Sequence, residues 1–235
     1  MSLIEIRKVE NKKDLKTFID FHYDLYEGNE YDVPNLFSDE MNTLSKDRNA
    51  AFEFCESEYF LAYKDGKLAG RVAAIINHKA NERWNCKSVR FGWIDFIDDR
   101  EVSKALLQAV EDYGKSKGMD NVVGPLGFTD MDPEGMLTWG FDQLGTMPTI
   151  YNYSYYPEHI EALDGYEVDN KYVEYKLIVP DTVPEKYAKI AAMIEKRYNL
   201  HVRKLTKKDV FQGGYGQKIF ELINATYKDL YGYSE

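Results

Sequence analysis

Ile4, Ile6 and Val9 alternate with polar residues as on a short half-buried strand, and from Asp14 the pattern changes to helical spacing through Leu15, Phe18, Ile19, His22 and Leu25. Over residues 26–54 the pattern weakens, broken by Gly28, Pro34 and several Asn and Asp, which leaves one short helix near 41–44 in a lid or substrate-side loop. Residues 59–63 are strand-like, Asp65-Gly66 supplies a tight hairpin turn, and 67–76 runs back. After a polar interruption, 89–97 reads as another strand, with Gly92 marking a bulge or a close backbone approach. Val102, Ala105, Leu106, Ala109, Val110 and Tyr113 then predict an amphipathic helix that closes at Gly118. Val122 and Val123 open the next strand, so strand, helix and strand follow one another as in a right-handed parallel crossover.

Residues 127–156 are rich in Gly, Asp and aromatics and have no clean period, as functional segments often do. Pro157 suits the first turn of a short helix through 158–163, and Val173, Tyr175 and Leu177 alternate along an expected strand at 172–179. The opening pattern then recurs. Ile6-Arg7-Lys8-Val9 followed by Lys12-Lys13-Asp14-Leu15 has a counterpart in Val202-Arg203-Lys204-Leu205 followed by Lys207-Lys208-Asp209-Val210. The expected organisation is an α/β domain over 1–180, a helical connector over 181–199, and the first strand and helix of a second copy over 200–235. Such a fragment leaves an apolar helix face to bury, so it docks on the first domain, self-associates, or belongs to a longer polypeptide.

Composition narrows the classes of partner. A net charge of −10 opposes nucleic acid, because that affinity rests on Lys and Arg neutralising phosphates. Apolar runs are too short for a membrane span or a signal core, so a cytoplasmic location without membrane contact is expected. Cys55 and Cys86 have no metal or disulfide spacing, and no metal centre is implied. His22, His78, His159 and His201 share no spacing and have no evident acid partner, and they read as structural or surface residues.

The element order resembles the GNAT superfamily of acyl-CoA-dependent N-acyltransferases, with a mixed, mostly antiparallel central sheet flanked by helices. Asp65-Gly66-Lys67-Leu68-Ala69-Gly70 looks like the family's second hairpin, and Gly165-Tyr166 like its turn into the last strands. The resemblance implies acetyl-CoA or another acyl-CoA as donor, an amine as acceptor, and, with the repeat, a tandem protein whose second unit is cut short. It places the cofactor near Ile97, Arg100, Ser103 and Lys104. The family's glycine-bearing pyrophosphate loop is replaced there by Asp98-Asp99-Arg100-Glu101, whose carboxylates oppose a diphosphate by about 1 kcal/mol each in a wet site. A non-catalytic recognition or structural domain is therefore the alternative. Asp95 is the candidate base, although strand alternation with Ile94 and Phe96 reads it as solvated. Tyr156 is the candidate acid, although packing accounts for it as well. Asp130, Asp132, Glu134, Asn152 and Tyr153 form the candidate substrate surface, with Pro133 giving the acidic cluster the chemistry of a turn.

Overall fold

The computed structural model describes residues 3–230, 232 and 233. They divide into two compact units, 3–169 with 230, 232 and 233, and 170–229. The first unit comprises β1 (Ile4–Lys8), α1 (Lys12–Leu25), α2 (Phe37–Leu44), a 3-10 turn (Ala50–Glu53), β2 (Cys55–Lys64), β3 (Lys67–Asn77), α3 (His78–Arg83), β4 (Ser88–Phe96), α4 (Arg100–Ser116), β5 (Asn121–Val123) and α5 (Tyr155–Glu161). The sheet order is β1-β2-β3-β4-β5. The first four strands pair antiparallel, and β5 lies parallel to β4 after the α4 crossover.

Local chemistry sets the element ends. Asn11 caps α1 by accepting from the amides of Lys13 and Asp14 at 2.9 and 3.1 Å. Asp65 and Gly66 turn the β2–β3 hairpin at φ 49° and 79°, the left-handed pair that matches strand twist. α3 occupies part of the stretch expected to be irregular, and its signal is Asn77, whose side chain accepts from the Ala80 amide at 2.8 Å.

β3 is the central strand and is buried on both faces. Val72, Ala74 and Ile76 join a core with Val102, Leu106, Leu107 and Val110 of α4. Ala73 and Ile75 face the opposite core with Leu15, Phe18 and Ile19 of α1 and Leu44 of α2. Each of the larger aliphatic side chains contributes about 1.5–3 kcal/mol by leaving water. The two cores hold the sheet between α1 and α2 on one side and α4 and α5 on the other.

β4 is bulged. Arg71 pairs with Asp95 but Ala73 pairs with Gly92, so Trp93 and Ile94 together stand opposite Val72. Trp93 takes φ 47°, a left-handed conformation that a bulky side chain rarely adopts. A Cβ on Gly92 would lie 2.4 Å from the Leu126 carbonyl oxygen, so the expected bulge and close approach both occur there.

The second unit holds α6 (Glu185–Tyr198), α7 (Lys207–Phe211) and α8 (Tyr215–Tyr227). α6 forms where helical spacing placed it. The strands expected at 172–179 and 202–205 do not form; Val173, Tyr175, Leu177 and Val202 are exposed without ladder pairing. Alternation specifies a face, but a strand also needs a neighbour to accept its backbone bonds. The helix expected after Leu205 is split in two at Gly213-Gly214, where Gly214 has φ 75°. Among the described residues no helix is long and apolar enough to cross a membrane.

Candidate functional site

The bulge of β4 floors a cavity of about 110 Å³ in the first unit, bordered by α1, the 31–40 segment, and the irregular chain around Pro133, Ile150 and Asn152. At its base lies a buried polar cluster. Asp95 and Arg71 are cross-strand partners. Arg71 donates from Nε and Nη2 to Asp95 Oδ2 at 2.8 and 2.7 Å, and from Nη1 to the Phe18 carbonyl at 2.9 Å. His22, on the inward stripe of α1, sets Nδ1 3.1 Å from Asp95 Oδ2 and Nε2 3.4 Å from Asp32 Oδ2. The Tyr156 hydroxyl donates to Asp95 Oδ1 at 3.1 Å and accepts from the Tyr26 hydroxyl at 3.0 Å and the Phe96 amide at 3.2 Å.

These surroundings fix the charges. Burial works against the Asp95 carboxylate, but Arg71 and His22 outweigh it and hold the group down to about 2. Burial likewise works against charged His22, yet Asp95 and Asp32 outweigh it and raise the imidazole to about 9. The ring is therefore an imidazolium at neutral pH, donating from both nitrogens. Tyr156 and Tyr26 are pushed well above the ordinary phenol range by burial and then by the Asp95 charge, so both remain protonated.

Asp95 and Tyr156, the two candidates for proton transfer, thus meet at one point. Asp95 is buried rather than solvated, because the bulge turns it toward Arg71. A carboxylate held near 2 is a weak base beside an ammonium, whose ordinary pKa is about 10.4. His22, read as structural or surface, is the titrating group of this cluster. Its signal was its place on the apolar stripe of α1. Three of the four histidines have acid partners that the sequence did not reveal: His22, His78 with Glu56, and His159 with Asp98. Glu40 was also missed. It lines the cavity while 8% exposed, and accepts from the Trp93 indole at 2.8 Å and the Asn35 amide at 3.0 Å. The signal was its helical spacing from buried Leu44 within α2.

Ile97 lies just before α4, and Arg100, Ser103 and Lys104 lie on its first turns. Asp99 caps the helix, accepting from the Glu101 amide at 3.0 Å, and pairs with Lys64. Ser103 is fully buried and hydrogen-bonds His159 Nδ1 at 3.1 Å, while His159 Nε2 holds Asp98 at 3.0 Å. Arg100 and Lys104 are exposed, and the Ile97 amide is engaged by the Ala69 carbonyl at 3.0 Å. Nearby, the Tyr155 hydroxyl donates to the Phe96 carbonyl at 2.7 Å, so Tyr155 and Tyr156 close that length of strand backbone.

The acidic segment is a turn. Asp132 accepts from the Thr129 amide at 3.0 Å and returns its own amide to the Thr129 carbonyl at 3.2 Å. Burial raises its carboxyl above the usual range. Asp130 and Glu134 lie half-buried beside it and outside the cavity lining. Asn152 does line the cavity, but its amide group is spent on Leu137 N at 2.7 Å and on the carbonyls of Leu137 and Tyr153, each at 3.1 Å. Tyr153 stacks on Tyr26 at 4.8 Å and donates to the Leu25 carbonyl at 3.1 Å.

No family model matches the chain. It is 34% identical over 161 residues to Protein YghO of Escherichia coli (strain K12), covering 68% of this chain and 41% of that protein. It is 29% identical over 140 residues to Bacterial ceramide synthase of Caulobacter vibrioides, covering 59% and 36%. The chain therefore spans less than half the length of these curated relatives. Solved structures that align with it include the aminoglycoside N-acetyltransferase AAC(6')-Iy in complex with CoA, at TM-score 0.44 and 19% identity, covering 75% of this chain and 96% of that one. A tandem GNAT protein from the clavulanic acid biosynthesis pathway aligns at TM-score 0.40 and 12% identity, covering 50% and 34%. The first unit has a mostly antiparallel five-stranded sheet, one parallel crossover through α4 and a bulged β4 beside a cavity, which is the mixed sheet flanked by helices that the element order led one to expect.

Proposed function

We propose that this chain supplies the acceptor side of an acyl-CoA-dependent N-acyltransferase, which joins an acyl group to a small-molecule amine. The observation that carries this reading is the Asp95–His22–Asp32 array at the β4 bulge, opening into a cavity. An alkylammonium must lose a proton before its nitrogen can attack the thioester carbonyl and expel the CoA thiol, and the neutral form of His22, a minority at neutral pH because the imidazole is raised to about 9, is the form that takes that proton. Asp95 and Asp32 orient the imidazole, and Arg71 keeps Asp95 ionised. The ceramide synthase name of one relative denotes amide formation on an amino alcohol, which is compatible with this chemistry.

The donor fits less well. Asp99 on the Glu101 amide, Asp98 beside it and Ser103 turned inward support a reading in which the helix start does not hold the diphosphate. In this reading the donor's nucleotide is held elsewhere in the active protein, in keeping with the greater length of the relatives, and the 200–235 segment belongs to a second unit. The self-capped α4 also favours a second reading, a non-catalytic amine-recognition domain.

Mass-spectrometric detection of amide from acetyl-CoA and a panel of primary amines, using the protein made from its native gene, tests the proposal. Amide formation that falls at least tenfold in His22→Gln, with the fold intact, is expected. Undiminished turnover in that variant would remove His22 from the reaction, and no amide from any amine would leave the recognition reading.

A further inference from the structure

The cavity holds one charge that the cluster at its base does not balance. Asp95 is answered by Arg71 and His22, and Asp32 by His22. Glu40 lines the same cavity and is 8% exposed, yet its two described bonds come from neutral donors, the Trp93 indole and the Asn35 amide. Among the described residues no ion pair engages it. A carboxylate withdrawn from water is stabilised most by a cation. Indole and amide each use one donor and leave the remaining lone pairs of the oxygens to a third group.

The position is built rather than incidental. Trp93 is the residue that the bulge forces to φ 47°, and its side chain reaches across to α2 to hold Glu40. Asn35 holds the other oxygen, so the carboxylate is fixed from both sides. The cavity that Glu40 lines also has apolar wall residues, among them Ile19, Val33, Ile94, Met136 and Ile150, beside polar Thr149 and Asn152. At about 110 Å³ the space is well below the range of drug-sized pockets and suits a charged head on a short stem.

The geometry points to Glu40 as the group that recognises the acceptor, binding the ammonium of a primary amine whose short apolar stem lies against Ile94 and Met136. This deepens the acceptor reading above and rests on it. It also moves amine recognition away from the Asp130, Asp132 and Glu134 turn. Amines should be selected over alcohols of the same shape, because a hydroxyl gives Glu40 a hydrogen bond without a charge.

The test is a titration of the full chain with n-butylamine, n-butanol and butyrate at neutral pH, read from tryptophan indole cross-peaks with Trp93 assigned through Trp93→Phe. The expected result is a saturable shift of the Trp93 indole with the amine, at least tenfold weaker with the alcohol and absent with the carboxylate. Glu40→Gln should weaken amine binding at least tenfold. If that variant does not fold, the wild-type comparison of the three ligands still decides. Equal response to amine and alcohol, or wild-type affinity in folded Glu40→Gln, overturns the proposal. Amide formation is scored separately: product without Glu40-dependent binding sinks this assignment alone, whereas Glu40-dependent binding without product sinks the transferase reading and leaves Glu40 as an amine receptor.

Discussion

The Tyr156 hydroxyl stands 3.1 Å from Asp95 Oδ1 although 61 residues separate the two. It closes the acidic end of the cluster from a helix that follows a long irregular segment. Removing it leaves the Asp95 oxygen, the Phe96 amide and the Tyr26 hydroxyl each one bond short. Tyr156→Phe keeps the ring stacked on Phe96 at 4.2 Å, so the expected loss is that of a buried bond, about 1–3 kcal/mol in denaturant unfolding. A change below a few tenths would mean that water replaces the hydroxyl.

Arg71 is the principal counter-charge of Asp95, and both are buried. Arg71→Met leaves a carboxylate without its main partner and should cost about 3–5 kcal/mol. The double variant Arg71→Met with Asp95→Leu should recover part of that loss. Stability equal to the single variant would show that the burden lies with the lost Phe18 contact instead.

pH acts on this cluster from two directions. His22 is raised above its unfolded value of 6.5 to about 9, so its contribution is complete below 6.5 and lost as pH rises through about 9. Asp95 is lowered from 3.8 to about 2, so its contribution is present above 3.8 and lost as pH falls through about 2. The melting temperature should therefore decline on the alkaline side between 6.5 and 9, and His22→Gln should flatten that limb. Amide formation should rise with pH over the same interval, since only the neutral imidazole accepts a proton.

Gly92 lies where a Cβ would sit 2.4 Å from a backbone oxygen of Leu126. Gly92→Ala must displace either β4 or the chain after β5, at a cost of about 1–3 kcal/mol. Faster exchange of the Leu126 amide, which donates to the Phe91 carbonyl at 2.8 Å, would locate the strain. Exchange changes confined to distant helices would contradict this account.

Calorimetric titration of the chain with acetyl-CoA should show no submicromolar binding. Asp98 and the Asp99 cap both oppose a diphosphate at the start of α4. Tight binding at a stoichiometry of one would overturn that reading.

Sequence by itself determined the hairpin, the crossover helix and the special place of Gly92, because each depends on neighbours close in the chain. Asp65-Gly66 fixes the turn, the three- and four-residue spacing from Val102 to Tyr113 fixes the face of α4, and Gly92 announces a place with no room for a side chain. Asp95 and Tyr156 were also visible as residues, but not their state of charge. Tertiary structure alone decided that His22 lies between two carboxylates, that Asp95 is buried against Arg71, that Ser103 turns inward, and that Trp93 holds Glu40. Period and propensity describe which face of an element leaves water, whereas a pKa or a cation site depends on groups brought from distant elements to within a few ångströms. The unpaired stretch at 172–179 carries the same lesson: its alternation is plain in the sequence, but only a neighbouring strand can make it one.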